Sequence, residues 1–164
     1  MSLKAHIAAQ IAADGPMRID AYMATCLLHP TLGYYTTRPP FGQAGDFITA
    51  PESSQMFGEM LGLSLAQSWL DQGRPARFSL VEYGPGRGTL MADVLRATRR
   101  VPGFSQAAEV IMVEASPALQ QVQQETLEGH SIRWMAEATD LPDQPTFALA
   151  KEIYDALPVR QFVR

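Results

Sequence analysis

Residues 81–90 read Val-Glu-Tyr-Gly-Pro-Gly-Arg-Gly-Thr-Leu, and no other stretch constrains the fold as much. The run Phe78–Tyr83 before the glycines has the alternating apolar character of a strand, and a helix begins near Thr89. Gly84, Gly86 and Gly88 stand at every second position. Glycine lets the backbone turn sharply and approach a ligand with no Cβ in the way. The spacing is Glu-x-Gly-x-Gly-x-Gly, not the Gly-x-Gly-x-x-Gly of dinucleotide sites. It points to S-adenosylmethionine rather than NAD. The plainer alternative is a turn that uses glycine only for tight packing.

The 164 residues suffice for one domain with its own core. A net charge of -4 argues against a phosphate-binding surface, and so against a nucleic-acid partner. Cys26 is the single cysteine, which excludes a disulfide framework and suggests a reducing compartment. No apolar run approaches membrane-spanning length, and no signal peptide is apparent. A cytoplasmic location is expected, or the mitochondrial matrix if the source is eukaryotic, although no transit peptide is seen.

Two textures divide the chain, with a boundary expected near residue 73. Residues 1–73 read as a helical, lid-like region, and residues 74–164 as alternating strand and helix. In the first region, one helix is expected from Leu3 to Ala13. A second should start at Asp20 as N-cap and end before Pro30. A long aromatic, glycine-rich loop follows, of the kind that often carries function. Thr49-Ala50-Pro51-Glu52 fits a capping box for a third helix. Phe57, Met60, Leu61, Ser64, Leu65 and Trp69 would be the buried face of that helix.

In the second region, strands are expected at Phe78–Tyr83, Val110 to Val113, Ile132–Met135 and Phe147 to Ala150. Leu90, Met91, Val94 and Leu95 should be buried on the helix after the glycines. Arg96, Arg99 and Arg100 at its end suit the helix dipole. Ser116-Pro117 opens a further helix. Right-handed crossovers would order the strands 3-2-1-4. The sheet would be doubly wound and cut short after about four strands, leaving the fourth as an exposed apolar edge.

Two carboxylates stand at strand ends in this scheme. Glu82 closes the first strand, where ligands of open parallel sheets bind, and could position the ligand's amino group. Glu114 closes the second and could accept both ribose hydroxyls. Glu152 and Asp155 follow the fourth, where a carboxylate could hold a cationic acceptor. A helix-starting acid pair is the alternative for them. Asp46, in Gly45-Asp46-Phe47, could fold over the cofactor as part of a lid. His6, His29 and His130 are scattered in sequence, so no metal site is expected.

Several blocks recur together in one known family. They are His29-Pro30-x-x-Gly33-Tyr34-Tyr35, Gly45-Asp46-Phe47-Ile48-Thr49-Ala50-Pro51-Glu52, Gln55-Met56-Phe57-Gly58-Glu59, Glu82-x-Gly84-Pro85-Gly86-Arg87-Gly88-Thr89-Leu90-Met91 and Glu152-x-x-Asp155-Ala156-Leu157-Pro158. The chain resembles the MidA-type methyltransferases, to which a mitochondrial arginine methyltransferase that assists complex I assembly belongs. The resemblance implies a class I, Rossmann-like fold with an added N-terminal helical region. It implies S-adenosylmethionine as cofactor and methyl transfer to a protein arginine. The chain departs at Lys151, Ser53 and Tyr83, where the family usually has asparagine, isoleucine and leucine. A nicotinamide-dependent oxidoreductase and a non-catalytic assembly factor are the alternatives.

Overall fold

The computed structural model describes residues 1–37, 50–154 and 156–162. These residues fall into two compact units, one of 1–47 with 152–164 and one of 48–151. The division does not follow the expected boundary near residue 73. The third predicted helix belongs with the sheet.

In the first unit, α1 (Leu3–Asp14) is capped by the Ser2 hydroxyl, which accepts from Ala5 N–H at 3.3 Å. Helix α2 (Ile19–Leu28) begins earlier than expected, and Asp20 is not its N-cap. Arg18 holds that position, and its guanidinium draws the Asp20 carboxylate away in a fork at 3.0 and 2.9 Å. That pairing holds the Asp20 carboxyl below the usual carboxylate range. The single turn α3 (Tyr34–Thr37) follows.

In the second unit, the turn α4 (Ala50–Ser53) leads into α5 (Gln55–Asp71). Strand β1 (Phe78–Tyr83) then runs into the glycines and α6 (Thr89–Thr98). The turn α7 (Phe104–Ala107) precedes β2 (Ala108–Val113). Helix α8 (Pro117–Thr126) leads to β3 (Ile132–Met135), and β4 (Thr146–Ala150) follows a 3-10 turn. The four strands are parallel and ordered β3-β2-β1-β4, as right-handed crossovers demand. β4 lies at one end of that order.

The core forms where β1, α5, α6 and α7 meet. Phe78 is wholly buried, with ring centroids of Phe104 at 5.0 Å, Phe147 at 5.2 Å and Trp69 at 6.2 Å. The Trp69 indole N–H donates to the Pro75 carbonyl at 3.0 Å, so its polar edge is satisfied. Leu90, Met91, Val94 and Leu95 of α6 are buried as expected.

The face of α5 differs from the periodic reading. Its buried residues are Gly58, Gly62, Ala66 and Trp69, whereas Phe57 and Met60 are exposed. The reason is distance. A Cβ added at Gly62 would stand 2.9 Å from the Val94 Cα, and one at Gly58 would stand 2.5 Å from the Asp93 Cβ. Small residues let the α5 and α6 backbones approach, and the large residues are pushed to the flanks.

Candidate cofactor site

The site is built at the carboxyl ends of β1 and β2. Tyr83 and Val113 are register partners, so Gly84 and Glu114 leave the sheet side by side. The Gly84 N–H still donates to the Val113 carbonyl at 3.1 Å. The chain then leaves the plane through Gly84, Gly86 and Gly88, with φ of 58°, 56° and 83°. All lie in the left-handed region, which costs an L side chain about 1–2 kcal/mol per residue. The turn closes with the Gly88 N–H on the Pro85 carbonyl at 2.8 Å, and α6 starts at once. The chain crosses to β4 on the far side of β1, so β1 borders the topological switch point where such sheets bind ligands.

Glu82 is 4% exposed in the centre of this arrangement. Its carboxyl accepts the Met91 N–H, while Oε2 is buried with no hydrogen-bond partner. Burial pushes its pKa up to about 8, against the Met91 N–H and the Lys151 charge, which pull it down. A buried oxygen without a donor, beside a glycine turn, suits a cationic amino group of a ligand. The same group makes the apo fold sensitive to pH. The folded state keeps the proton where the unfolded chain has lost it. Its contribution is therefore full below about 4.5 and lost as pH rises to about 8. Within that window the loss approaches about 1.4 kcal/mol per pH unit. Glu82→Gln removes the titration. Its melting temperature should gain on that of the unaltered protein steadily between pH 5 and about 8. Parallel curves would show that Glu82 does not carry the buried proton.

Glu114 is half-buried just past β2. Its Oε1 accepts from the Ser116 N–H at 2.7 Å and its Oε2 from the Gln123 amide at 3.4 Å. Burial raises its pKa, and those two donors act in the opposite direction. The carboxylate is thus held at the mouth of the glycine turn from the α8 side.

A further acid, Glu52, makes contacts that sequence reading did not anticipate. Helix α5 starts from Ser54, not from the Thr49–Glu52 box expected for it. The Glu52 Oε1 accepts from the Thr89 hydroxyl at 2.8 Å, and its Oε2 faces Arg87 Nη1 at 3.4 Å. Thr89 opens α6, so this carboxylate ties α4 to the glycine turn and sits near the positive end of the helix dipole. Thr49, the other half of the expected box, lies outside the described residues. Gln123 was also missed. It occupies the stripe Leu119-Gln123-Leu127, and a lone amide at helical spacing among apolar residues was the available signal.

Of the acids expected to face an acceptor, Asp46 and Asp155 lie outside the described residues. Glu152 is exposed, two residues past β4, with φ of +48°. It belongs to the first compact unit, whereas Glu82 and Glu114 belong to the second. Within the second unit the structure brings together Glu82, Gly84, Gly86, Gly88 and Glu114. His6 and His29, scattered in sequence, have ring centroids 4.8 Å apart, edge to face. Among the described residues, no cluster of metal-ligating side chains forms. Among the same residues, no helix is long and apolar enough to cross a membrane.

A parallel sheet with a three-glycine turn after β1 and acids closing β1 and β2 defines a Rossmann-like nucleotide-binding architecture. Residues 60–164 match the family described as "Putative S-adenosyl-L-methionine-dependent methyltransferase", and the chain belongs to that family. It is 37% identical to "Protein arginine methyltransferase NDUFAF7, mitochondrial" of Danio rerio over 99% of its own length and 44% of that protein. With the Homo sapiens protein of the same name it shares 35% identity, over 96% of the chain and 41% of that protein. A superfamily member from Burkholderia thailandensis, crystallised with S-adenosyl-homocysteine, superposes with a TM-score of 0.76 at 30% identity. The superposition covers 95% of this chain and 42% of that one. The chain thus spans about two-fifths of the length of the curated relatives it matches. Those relatives are named mitochondrial, which lends no support to the cytoplasm expected from sequence.

Proposed function

We propose that this chain carries the cofactor-binding half of an S-adenosylmethionine-dependent protein arginine methyltransferase. The observation that carries the reading is the unpartnered, buried Glu82 oxygen at the foot of three left-handed glycines, with Glu114 beside them. When bound, the cofactor supplies an electrophilic methyl group on a sulfonium. Glu82 would receive its amino group, the peptides of Gly84, Gly86 and Gly88 its flank, and Glu114 its ribose hydroxyls. Glu152, Asp155 and Asp46 would face the acceptor. A carboxylate there can hold a guanidinium by charge-assisted hydrogen bonds and align it for attack. A protein arginine as acceptor rests on the names of the mitochondrial relatives. The lone Cys26 fits a reducing compartment, the cytoplasm of a bacterium or the matrix of a mitochondrion.

Ligand-induced stabilisation tests the reading. A ligand that binds only the folded state raises stability by about 2.7 kcal/mol at a hundredfold excess over its Kd. S-adenosylhomocysteine is expected to raise the melting temperature of the full-length protein, and NADH to leave it unchanged. A shift with NADH alone would replace the methyltransferase reading with the oxidoreductase one.

A further inference from the structure

One polar side chain in the site has no part in the chemistry above. Gln123 is 0% exposed, on the inner face of α8. An amide removed from water is costly unless hydrogen-bonded. Its Nε2 donates to the Gly86 carbonyl at 2.8 Å and to Glu114 Oε2 at 3.4 Å. Its Oε1 accepts from Trp134 Nε1 at 2.9 Å. An indole nitrogen can only donate, so Trp134 decides which end of the amide is oxygen. The NH2 end must then face the cradle. α8 also lies close to the turn, since a Cβ at Gly88 would stand 3.4 Å from the Gln123 Cγ.

We propose that Gln123 is the positioning residue of the cofactor site, holding the Glu114 carboxylate in the aim that recognises the ribose hydroxyls and pinning the Gly86 peptide. The Gly86 carbonyl turns inward to meet the amide. In a trans peptide the following N–H, that of Arg87, then points the opposite way. One buried amide thereby couples the glycine turn, the acid after β2 and the indole of β3. This inference rests on the cofactor reading and goes beyond it, because Gln123 acts through Glu114 and Gly86.

The test is a cycle between protein and ligand in the full-length protein. Calorimetry measures affinity for S-adenosylhomocysteine and for its 2′-deoxyribose analogue. The unaltered protein is expected to prefer the ribose form at least about tenfold. Gln123→Met keeps the volume and removes all three hydrogen bonds, and the preference should fall to about twofold. Trp134→Phe keeps the amide but frees it to turn over, and the preference should fall to an intermediate value. A role in packing alone would lower the melting temperature of both variants and leave the preference unchanged, which would overturn the inference. Should Gln123→Met not fold, an unchanged preference in Trp134→Phe would overturn it alone. Absence of binding by the unaltered protein would overturn the cofactor reading and this inference together. Normal binding with unchanged preferences would overturn only this inference.

Discussion

Replacing Gly62 by valine is expected to lower the stability of the protein by about 3 kcal/mol. Gly62 lies where α5 crosses α6. A Cβ there meets the Val94 Cα at 2.9 Å and the Val94 carbonyl oxygen at 3.1 Å. Both are backbone atoms in the middle of a helix, so neither can swing aside as a side chain would. The two helices must separate, and Trp69, Val94 and Leu95 lose contacts in the core. The better helix propensity of valine over glycine returns only a few tenths of a kcal/mol. The melting temperature should drop by roughly 10 °C for a chain of this size. Leu63→Val on the exposed side of α5 should stay within about 0.5 kcal/mol and serves as the control, since Leu63 is 48% exposed. Equal melting temperatures for the two variants would mean that the helices do not approach through the glycines.

Glu152→Gln is expected to cut turnover about a hundredfold, or about 2.7 kcal/mol in the barrier. The affinity for S-adenosylhomocysteine should change by less than about threefold. Two observations motivate this. Glu152 follows the strand beside β1, and its φ of +48° is unusual for a residue with a Cβ. Such strain, about 1–3 kcal/mol, persists only where the surroundings impose it and is concentrated at working sites. In the proposed reaction, the carboxylate holds the acceptor guanidinium. An amide of the same shape keeps a hydrogen bond and loses the charge. The assay pairs cofactor affinity with mass spectrometry of methylated arginines, using the full-length protein and a cell extract. A joint collapse of affinity and activity would make Glu152 a cofactor ligand. Untouched activity would make it structural and move the role to Asp46 or Asp155.

The geometry around the candidate cofactor site was legible because its elements are local. Glu82, the glycines and Thr89 lie within one short strand–turn–helix. The left-handed φ at each glycine is the conformation that residue type signals. Glu114 was legible because the acid after the second strand falls next to the first whenever the strands pair in parallel, and Tyr83 opposite Val113 realises that. Ser116 and Pro117 announced α8 by cap chemistry alone, and the Ser116 hydroxyl does accept from the Leu119 N–H at 3.4 Å.

The Glu52 contacts went unread because capping chemistry is a local rule, while Thr89 and Arg87 lie 37 and 35 residues away in sequence. A carboxylate bonds whichever donors the fold delivers, and spacing does not report them. On α5, Trp69 is buried and Leu61 and Leu65 pack against the core as expected, but Phe57 and Met60 do not, for a related reason. Periodicity assumes that large apolar residues turn inward. Here the helix–helix distance selects glycine and alanine instead, and Phe57 and Met60 face out.

Element order, parallel strand order and the glycine turn after β1 could all be read from residue types along the chain. Those depend on residue type, short-range spacing and the handedness of crossovers, all of which act along the chain. Which polar groups gather around the candidate site came instead from tertiary packing. The burial of Glu82 without a donor for one oxygen is one such outcome. So are the three-way bond of Gln123 to Gly86, Glu114 and Trp134, and the Glu52 tie to α6. Hydrogen-bond partners across such separations are set by which surfaces exclude water together, and no local pattern encodes that.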